Sequence, residues 1–238
     1  MAKQQGKLFL IPTPIAEESL ESISTEVMRV VHSLRYFIVE KARTARRFVS
    51  ATSHPEKIEF LVFEEMPDPH DDLKVQKLLK PALDGQNIGL MSEAGLPAIA
   101  DPGNLYVREA QRLGIEVVPL AGPSSIMMAL MASGLEGQRF SFHGYLSAKK
   151  PELQAQLKDL EKRAVREDAT QIFIETPYRN KQVMEVAAQS LEGKRQFCIA
   201  AGLGSDDGFV LTRTIGEWKK EGWPEIHKVP AVFLIGKG

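Results

Sequence analysis

The segment "SEAGLPAIADPG" at residues 92–103 combines two carboxylates, Glu93 and Asp101, with closely spaced glycines and prolines. It follows "NIGLM", a short apolar run that is typical of a buried strand. Proline fixes φ and removes a backbone donor, whereas glycine lets the backbone approach a ligand closely. Together they predict a rigid pocket that exposes backbone groups and suits a ligand with a large uncharged ring and a few polar edges.

Two other proline-containing turns also follow predicted strands. They are "PTP" at 12–14 and "AGPSS" at 121–125. In an open α/β sheet, ligands bind outside the carboxyl ends of the strands. We therefore expect the three turns to line one crevice, although these residues alone leave open the alternative that they are ordinary connecting loops.

The elements that must position these turns alternate in type along the first half of the chain. Apolar strands are predicted over 7–11, 36–40, 57–63, 87–91 and 115–120, and helices over 24–34, 71–83 and 104–114. Ser24 is the expected N-cap of the first helix. This alternation predicts βαβ units and a mostly parallel sheet that is buried on both faces.

The second half of the chain has a different order of elements. Its predicted elements are a helix at 124–134, a strand near "FSFHGY", a charged stretch at 147–168, a strand at 170–176 and a helix at 179–191. The strands "QFCIAA", "GFVLTRTI" and "PAVFLIG" follow without predicted helices between them, which indicates a mixed sheet with antiparallel edges. The fold class is α/β with two domains, 1–120 and 121–238.

The composition is that of an ordinary soluble globular protein. The chain has 238 residues, 43% of them hydrophobic and 26% charged, and its net charge is −1. This balance argues against a nucleic-acid or membrane surface over the whole chain but allows a local basic patch. The single cysteine, Cys198, cannot form an internal disulfide. With no signal peptide and no long apolar run, the expected location is the cytoplasm, away from membranes.

Other common site chemistries have weak support. "GLGSDDG" at 202–208 resembles a dinucleotide loop, but a β-branched segment follows it where a helix is required, so we predict a hairpin turn. The five histidines are scattered without a metal-ligand spacing, and no metal site is expected. Cys198 lies in an apolar run and is expected to be a core residue rather than a nucleophile.

Four motifs carry a resemblance to a known family: "IPTPI", "SEAGLPAIADPG", "AGPSS" and "FIETPYRN". In order and spacing they resemble the tetrapyrrole methylase superfamily, and within it the bacterial small-subunit ribosomal RNA 2′-O-methyltransferases. The likeness runs over residues 7–236. It implies two αβα domains, a homodimer, and S-adenosylmethionine bound in a cleft between the domains.

The resemblance also implies which residues bind the cofactor. Backbone and apolar contacts are expected from Gly95, Leu96 and Ile99, with Pro12 closing one side. Glu93 and Asp101 either favour the cationic sulfur or only shape the turn, and both alternatives stay open. At the start of the next helix, the residues expected to contact the cofactor are Ser124, Ser125 and Ile126. The residues expected to flank its adenine are Thr176, Ala201, Leu203, Pro230 and Ala231.

The sequence differs from the ribosomal RNA methyltransferases mainly in the motifs expected to bind the substrate, and less in those expected to bind the cofactor. The positions that match there, and that we expect to bind substrate, are Glu40, Arg43, Arg46 and Arg179. Lys41 replaces an acid, Tyr178 replaces a histidine, and residues 201–208 replace a basic motif, which indicates a divergent paralogue. "KARTARR" at 41–47 forms either a phosphate-binding helix face or a solvated one.

Three functions are compatible with these residues. The first is a methyltransferase acting on RNA, at a ribose 2′-hydroxyl of ribosomal RNA. The second is a methyltransferase acting on a small molecule such as a tetrapyrrole, and the third is a non-catalytic paralogue that binds the cofactor or RNA. Methyl transfer from a sulfonium needs mainly alignment and exclusion of water. No catalytic base is identified from the sequence.

Overall fold

The computed structural model describes residues 5–16, 19–67 and 71–238. It forms two compact units, the first ending at Ser124 and the second beginning at Ser125. The sequence-based division near residue 120 lies close to this point and stays a prediction of where independent domains end.

The first unit is built on a five-stranded sheet in which every neighbouring pair is parallel. Its strand order is β3-β2-β4-β1-β5. The strands are β1 Lys7–Leu10, β2 Tyr36–Val39, β3 Val62–Glu65, β4 Ile88–Met91 and β5 Glu116–Pro119. The helices are α1 Thr25–Ser33, α2 Ala42–Ala51, α3 Asp72–Leu83 and α4 Asn104–Arg112.

Helices cover both faces of this sheet because successive strand residues point to opposite sides. Phe37 packs in one cluster with residues of α1 and α2, whereas its neighbour Ile38 packs in another cluster with residues of α3 and α4. Ser24 caps α1 as predicted, since its hydroxyl accepts a hydrogen bond from the Val27 N–H at 3.3 Å. The predicted parallel, doubly covered sheet is confirmed.

The second unit has a mixed five-stranded sheet with the order β6-β7-β10-β8-β9. β6 and β7 are parallel, and the other neighbours are antiparallel. The strands are β6 Phe140–Tyr145, β7 Thr170–Glu175, β8 Gln196–Ala201, β9 Phe209–Thr214 and β10 Ala231–Gly236. The helices are α5 Ser125–Ser133, α6 Lys150–Glu167, α7 Asn180–Ser190 and α8 Ile215–Glu221.

Both faces of the second sheet are also covered, by α5 on one side and by α6, α7 and α8 on the other. β8 and β9 pair directly, so the predicted hairpin at 202–208 is confirmed. Cys198 is fully buried in the α5-facing cluster, and burial raises its thiol pKa to about 11, which agrees with a core role. No helix in the described ranges is both long and apolar enough to cross a bilayer.

Three stretches differ from the sequence predictions. The last three strands were predicted without helices between them, but α8 follows β9 directly and precedes β10. The prediction of a strand over 57–63 was wrong, because a 3₁₀ turn occupies Ile58–Phe60 and β3 begins only at Val62. The turn lets Leu61 be buried while Phe60 stays 67% exposed. The charged stretch at 147–168 contains helix α6, whose buried leucines Leu153, Leu157 and Leu160 recur at helical spacing.

Candidate functional site

The turns after β1 and β4 are joined at the carboxyl edge of the first sheet. Thr13 and Gly95 form an isolated antiparallel bridge with two backbone hydrogen bonds, at 2.9 and 3.0 Å. The Thr13 hydroxyl also lies 3.5 Å from the Ser92 carbonyl oxygen. Parallel strands place their carboxyl ends at one edge, and this bridge then holds the two turns against each other.

The turn after β5 packs against the same two turns. A Cβ added at Gly122 would lie 2.1 Å from Cβ of Pro12, so only glycine permits this approach. A Cβ added at Gly95 would lie 3.7 Å from the Pro123 carbonyl oxygen. The three proline-containing turns therefore meet within the first unit, and the crevice that they are expected to line stays a prediction.

The segment 92–103 has an unusual backbone. Gly95 has φ of 73° and Gly103 has φ of 137°, and the non-glycine residues Ala98 and Ala100 also have positive φ, at 66° and 64°. Left-handed alanines cost about 1–2 kcal/mol each, and such strain is concentrated at functional sites. The result is a tight loop that leaves the apolar side chain of Ile99 51% exposed.

Two carboxylates of this loop, Glu93 and Asp101, lie close to a third, Glu40. The Glu93 N–H donates to Glu40 Oε2 at 3.1 Å, and the Thr44 hydroxyl donates to Glu93 Oε1 at 2.9 Å. Burial, together with the charges of Glu40 and Glu93, raises the pKa of Asp101 to about 6, although a hydrogen bond with Ser92 opposes this shift. This edge of the sheet therefore favours a positively charged ligand.

Across the described ranges, no group of three or more histidine, cysteine, aspartate or glutamate side chains is placed to hold a metal ion. Glu40, Glu93 and Asp101 form an acidic strip at this edge, and the basic helix α2 lies next to it. Helix α2 carries three exposed arginines, Arg43, Arg46 and Arg47, and the Arg46 guanidinium lies 5.5 Å from the centre of the Phe63 ring.

In the second unit, several predicted site residues meet at one edge of the mixed sheet. Ala231 pairs with Glu175 on one side and with Ala201 on the other. The Gly202 N–H donates to the Pro230 carbonyl at 3.0 Å, which ties the start of the β8–β9 turn to the chain before β10. Thr176 directly follows β7 at this edge, and its N–H donates to Glu175 Oε1 at 2.7 Å.

The segment leading to Pro230 is held by Asn180, which is fully buried at the start of α7. Its side-chain amide nitrogen donates to the carbonyl oxygens of Ile226 and Val229, at 2.9 and 2.7 Å. Its Oδ1 has no hydrogen-bond partner in the described part of the chain. Asn180 thus fixes the path of the backbone towards β10.

Arg179 is mostly buried. Its Nη2 donates to the Ser147 carbonyl at 2.7 Å and lies 2.9 Å from Glu175 Oε2. The geometry of that ion pair is not that of a hydrogen bond, because Glu175 Oε2, like Arg179 Nε, lacks a hydrogen-bond partner among the described residues. The neighbouring Tyr178 is 69% exposed. Binding of substrate by Arg179 stays a prediction.

The predicted cofactor residues thus fall into two groups, one in each unit. Ile126 and Leu203 belong to one hydrophobic cluster of the second unit, which is formed around α5. A cleft shared by the two groups stays a prediction. The first group comprises Pro12, Gly95, Leu96, Ile99 and Ser124, and the second comprises Ser125, Ile126, Thr176, Ala201, Leu203, Pro230 and Ala231.

Sequence reasoning missed the residues that brace these groups. The Thr13–Gly95 bridge joins turns that are far apart in the sequence, and no local pattern indicates it. Asn180 was detectable in principle, because a polar side chain beside the apolar helix face of α7 needs buried partners. Thr44 was detectable only as part of the helix predicted at 41–47.

Comparisons with known proteins agree with this geometry. The family described as "Tetrapyrrole (Corrin/Porphyrin) Methylases" matches residues 7–219. A protein of Bacillus subtilis (strain 168) named "Ribosomal RNA small subunit methyltransferase I" is 33% identical over 97% of this chain and 74% of its own length. A protein of the same name from Escherichia coli O157:H7 is 33% identical over 97% of this chain and 71% of its own length.

Solved structures show the same fold. The methyltransferase CobJ superposes with a TM-score of 0.63 at 15% identity, over 97% of this chain and 94% of CobJ. The uroporphyrin-III-C-methyltransferase of Thermus thermophilus superposes with a TM-score of 0.57 at 16% identity, over 98% of this chain and 92% of that chain. At such low identity the likeness is evidence for the fold alone.

Proposed function

Because this chain belongs to the tetrapyrrole methylase family, we propose that it methylates small-subunit ribosomal RNA, at a ribose 2′-hydroxyl. The family uses S-adenosylmethionine, and the chain is an S-adenosylmethionine-dependent methyltransferase. The observation that carries the choice of substrate is the 33% identity, over nearly the whole chain, with relatives named as ribosomal RNA small subunit methyltransferases.

The turns of the first unit fit this cofactor. S-adenosylmethionine supplies a methyl group that is already activated by a positively charged sulfur. Glu93 and Asp101 provide negative charge close to the loop 92–103, while left-handed Gly95 lets the backbone approach a ligand. In this proposal Pro12, Leu96 and Ile99 supply apolar contacts, and Ser124, Ser125 and Ile126 add contacts from the start of α5.

The second unit supplies an edge suited to a flat, uncharged ring. Thr176, Ala201 and Ala231 are small residues at neighbouring strand ends, where adenine meets backbone groups and little side-chain bulk. Pro230 has no N–H, and its carbonyl is already bonded to Gly202, which keeps this wall rigid. Leu203 completes the proposed adenine contacts from the adjoining turn.

Helix α2 provides the proposed contact with the RNA backbone. Arg43 and Arg46 are exposed on it, and arginine binds phosphate oxygens with charge-assisted hydrogen bonds. Glu40 lies just before the helix and contacts the cofactor loop through Glu93. We include Arg179 of the second unit in the acceptor site on the resemblance alone.

We also propose a homodimer in the cytoplasm. The second unit exposes several large apolar side chains that a partner subunit would cover, and light scattering of the purified protein tests for the doubled mass. Cell fractionation tests the location. The exposed apolar residues are Met127, Met131, Phe140 and Tyr145.

The test of the function is methyl transfer to unmodified small-subunit ribosomal RNA. Purified protein is incubated with methyl-labelled S-adenosylmethionine and the RNA, and the digested nucleosides are analysed by mass spectrometry. Label in a 2′-O-methylated nucleoside is the expected result. Label in tetrapyrroles of a cell extract, with none in RNA, would establish the small-molecule alternative, and no transfer to either would show that both proposed substrates are wrong.

A further inference from the structure

A cavity of about 550 Å³ lies in the first unit beside the acidic strip. It is bounded by the turn after β1, by one side of helix α2 and by the start of the loop 92–103. Cavities of this size hold small organic ligands. The lining includes Ile15, Thr44, Arg47, Phe48, Ala51 and Glu93.

The walls of this cavity combine an apolar surface with one polar edge. Ile15 contributes aliphatic surface against which a flat ring can pack, and the 8% of Phe48 that stays exposed adds aromatic surface. On the polar edge, Glu93 accepts from Thr44 through Oε1, and a carboxylate has further lone pairs that can accept from ring or exocyclic N–H groups. A flat heterocycle with N–H donors on its rim matches this arrangement.

The charges around the cavity indicate what such a heterocycle is attached to. Arg47 lines the cavity, and Arg43 and Arg46 are exposed on the same helix. A row of arginines beside an apolar slot is the combination by which proteins hold a phosphate backbone while taking up a base. A neutral small molecule would gain nothing from this row.

We propose that this cavity receives one unstacked nucleobase of the RNA substrate, with its flanking phosphates on α2. This inference rests on the proposed function, since it assigns a binding pocket to the RNA. Enzymes that modify a nucleotide within structured RNA or DNA commonly extrude a nucleotide from the stack, and a pocket that accepts the extruded base offsets the energy of unstacking. Thr44 and Glu93 link this pocket directly to the loop 92–103.

The test fills the cavity without substituting any residue of that loop. Ala51 lines the cavity and is exposed at the end of α2, so Ala51→Trp places an indole in the cavity at a position that tolerates bulk. The matched control is Ser50→Trp, at a neighbouring exposed position that does not line the cavity. Ala51→Trp is expected to raise KM for RNA about tenfold or more, because it removes base stacking. S-adenosylhomocysteine affinity should stay unchanged in both variants.

Photo-crosslinking gives a second readout that does not depend on turnover. Single-stranded RNA that contains 4-thiouridine is irradiated with the protein, and the crosslinked peptides are sequenced. Peptides that contain Ile15 or Phe48 are expected for the wild type and for Ser50→Trp, and they should be lost in Ala51→Trp.

The outcomes separate this inference from the proposed function. If the wild type methylates the RNA while Ala51→Trp keeps the same KM and the crosslinks map elsewhere, the pocket is wrong and the function stands. If the wild type neither methylates nor crosslinks to RNA, the proposed function fails and the pocket fails with it.

Discussion

Asp101 owes its raised pKa to its burial and to two other carboxylates at the carboxyl edge of the first sheet. Burial has the largest effect, the charges of Glu40 and Glu93 add to it, and a hydrogen bond with Ser92 partly opposes it. The sequence shows two of these acids within one loop, but Glu40 lies on a different strand end and joins them only in the folded chain. The acidic residues of the loop could therefore be read from the sequence, but the effect of Glu40 on the pKa of Asp101 could not.

This pKa predicts how stability changes with pH in Asp101→Asn. The folded pKa of about 6 lies above the usual 3.8, so the stabilising contribution of the protonated carboxyl is complete below about pH 4 and is lost as pH rises through about 6. The carboxyl is only half-buried, so screening reduces the full effect to about 1 kcal/mol. Between about pH 5 and pH 7.5, the free energy of unfolding of the wild type should fall relative to that of the variant.

Urea denaturation of both proteins at the two pH values measures this difference. The shared contributions of all other carboxylates cancel in the comparison. A difference that stays constant, or that grows in favour of the wild type at the higher pH, would mean that Asp101 titrates normally.

At the scale of elements, periodicity gave a reliable prediction where a whole helix or strand face is buried. Strands β4 and β10 are buried throughout and were predicted from their apolar runs. The segment 57–63 failed because one residue, Leu61, is buried by a 3₁₀ turn, and a short apolar run cannot distinguish that turn from a strand. Helix α6 was missed because charged residues dominate its composition, although its buried leucines keep helical spacing.

The connection between α7 and β10 depends on Asn180, and its removal is predicted to be costly. Asn180→Ala removes the side-chain donor of the Val229 carbonyl oxygen and leaves the Ile226 carbonyl oxygen with only the Val229 N–H, which should lower the free energy of unfolding by about 1–3 kcal/mol. Affinity for S-adenosylhomocysteine should fall as well, because Pro230 and Ala231 follow this segment directly. Urea denaturation followed by the fluorescence of Trp218 and Trp223, both in the same unit, measures the loss of stability.

Gln189→Ala is the matched control for this prediction. Gln189 is exposed on the same helix, and its truncation should change stability by less than about 0.5 kcal/mol. Equal effects of the two substitutions would show that the hydrogen bonds of Asn180 do not hold the segment.

For the whole molecule, the fold class was predictable from the sequence, whereas the proposed cofactor residues came from the family resemblance and stay a prediction. The alternation of elements predicted the parallel sheet, and the closely spaced late strands predicted the mixed one. The braces between turns were not predictable, because the Thr13–Gly95 bridge and the contact of Gly122 with Pro12 depend on the three-dimensional path of the chain. The substrate was inferred from resemblance, since no single residue identifies it.

Calorimetric titration with S-adenosylhomocysteine tests the central claim, that the turn containing Gly95 forms the cofactor site. Gly95 and Gly114 have the same φ of 73°, which allows a matched comparison. Gly95 is hydrogen-bonded to the Thr13 backbone at the carboxyl edge of the sheet. Gly114 follows α4, and a Cβ added there would have no atom within 4 Å. Each tryptophan variant carries the same backbone strain, and circular dichroism checks that both are folded. The wild type and Gly114→Trp should bind equally, and Gly95→Trp should bind at least about a hundredfold more weakly. Undiminished affinity in folded Gly95→Trp, or no binding by the wild type, would contradict the account.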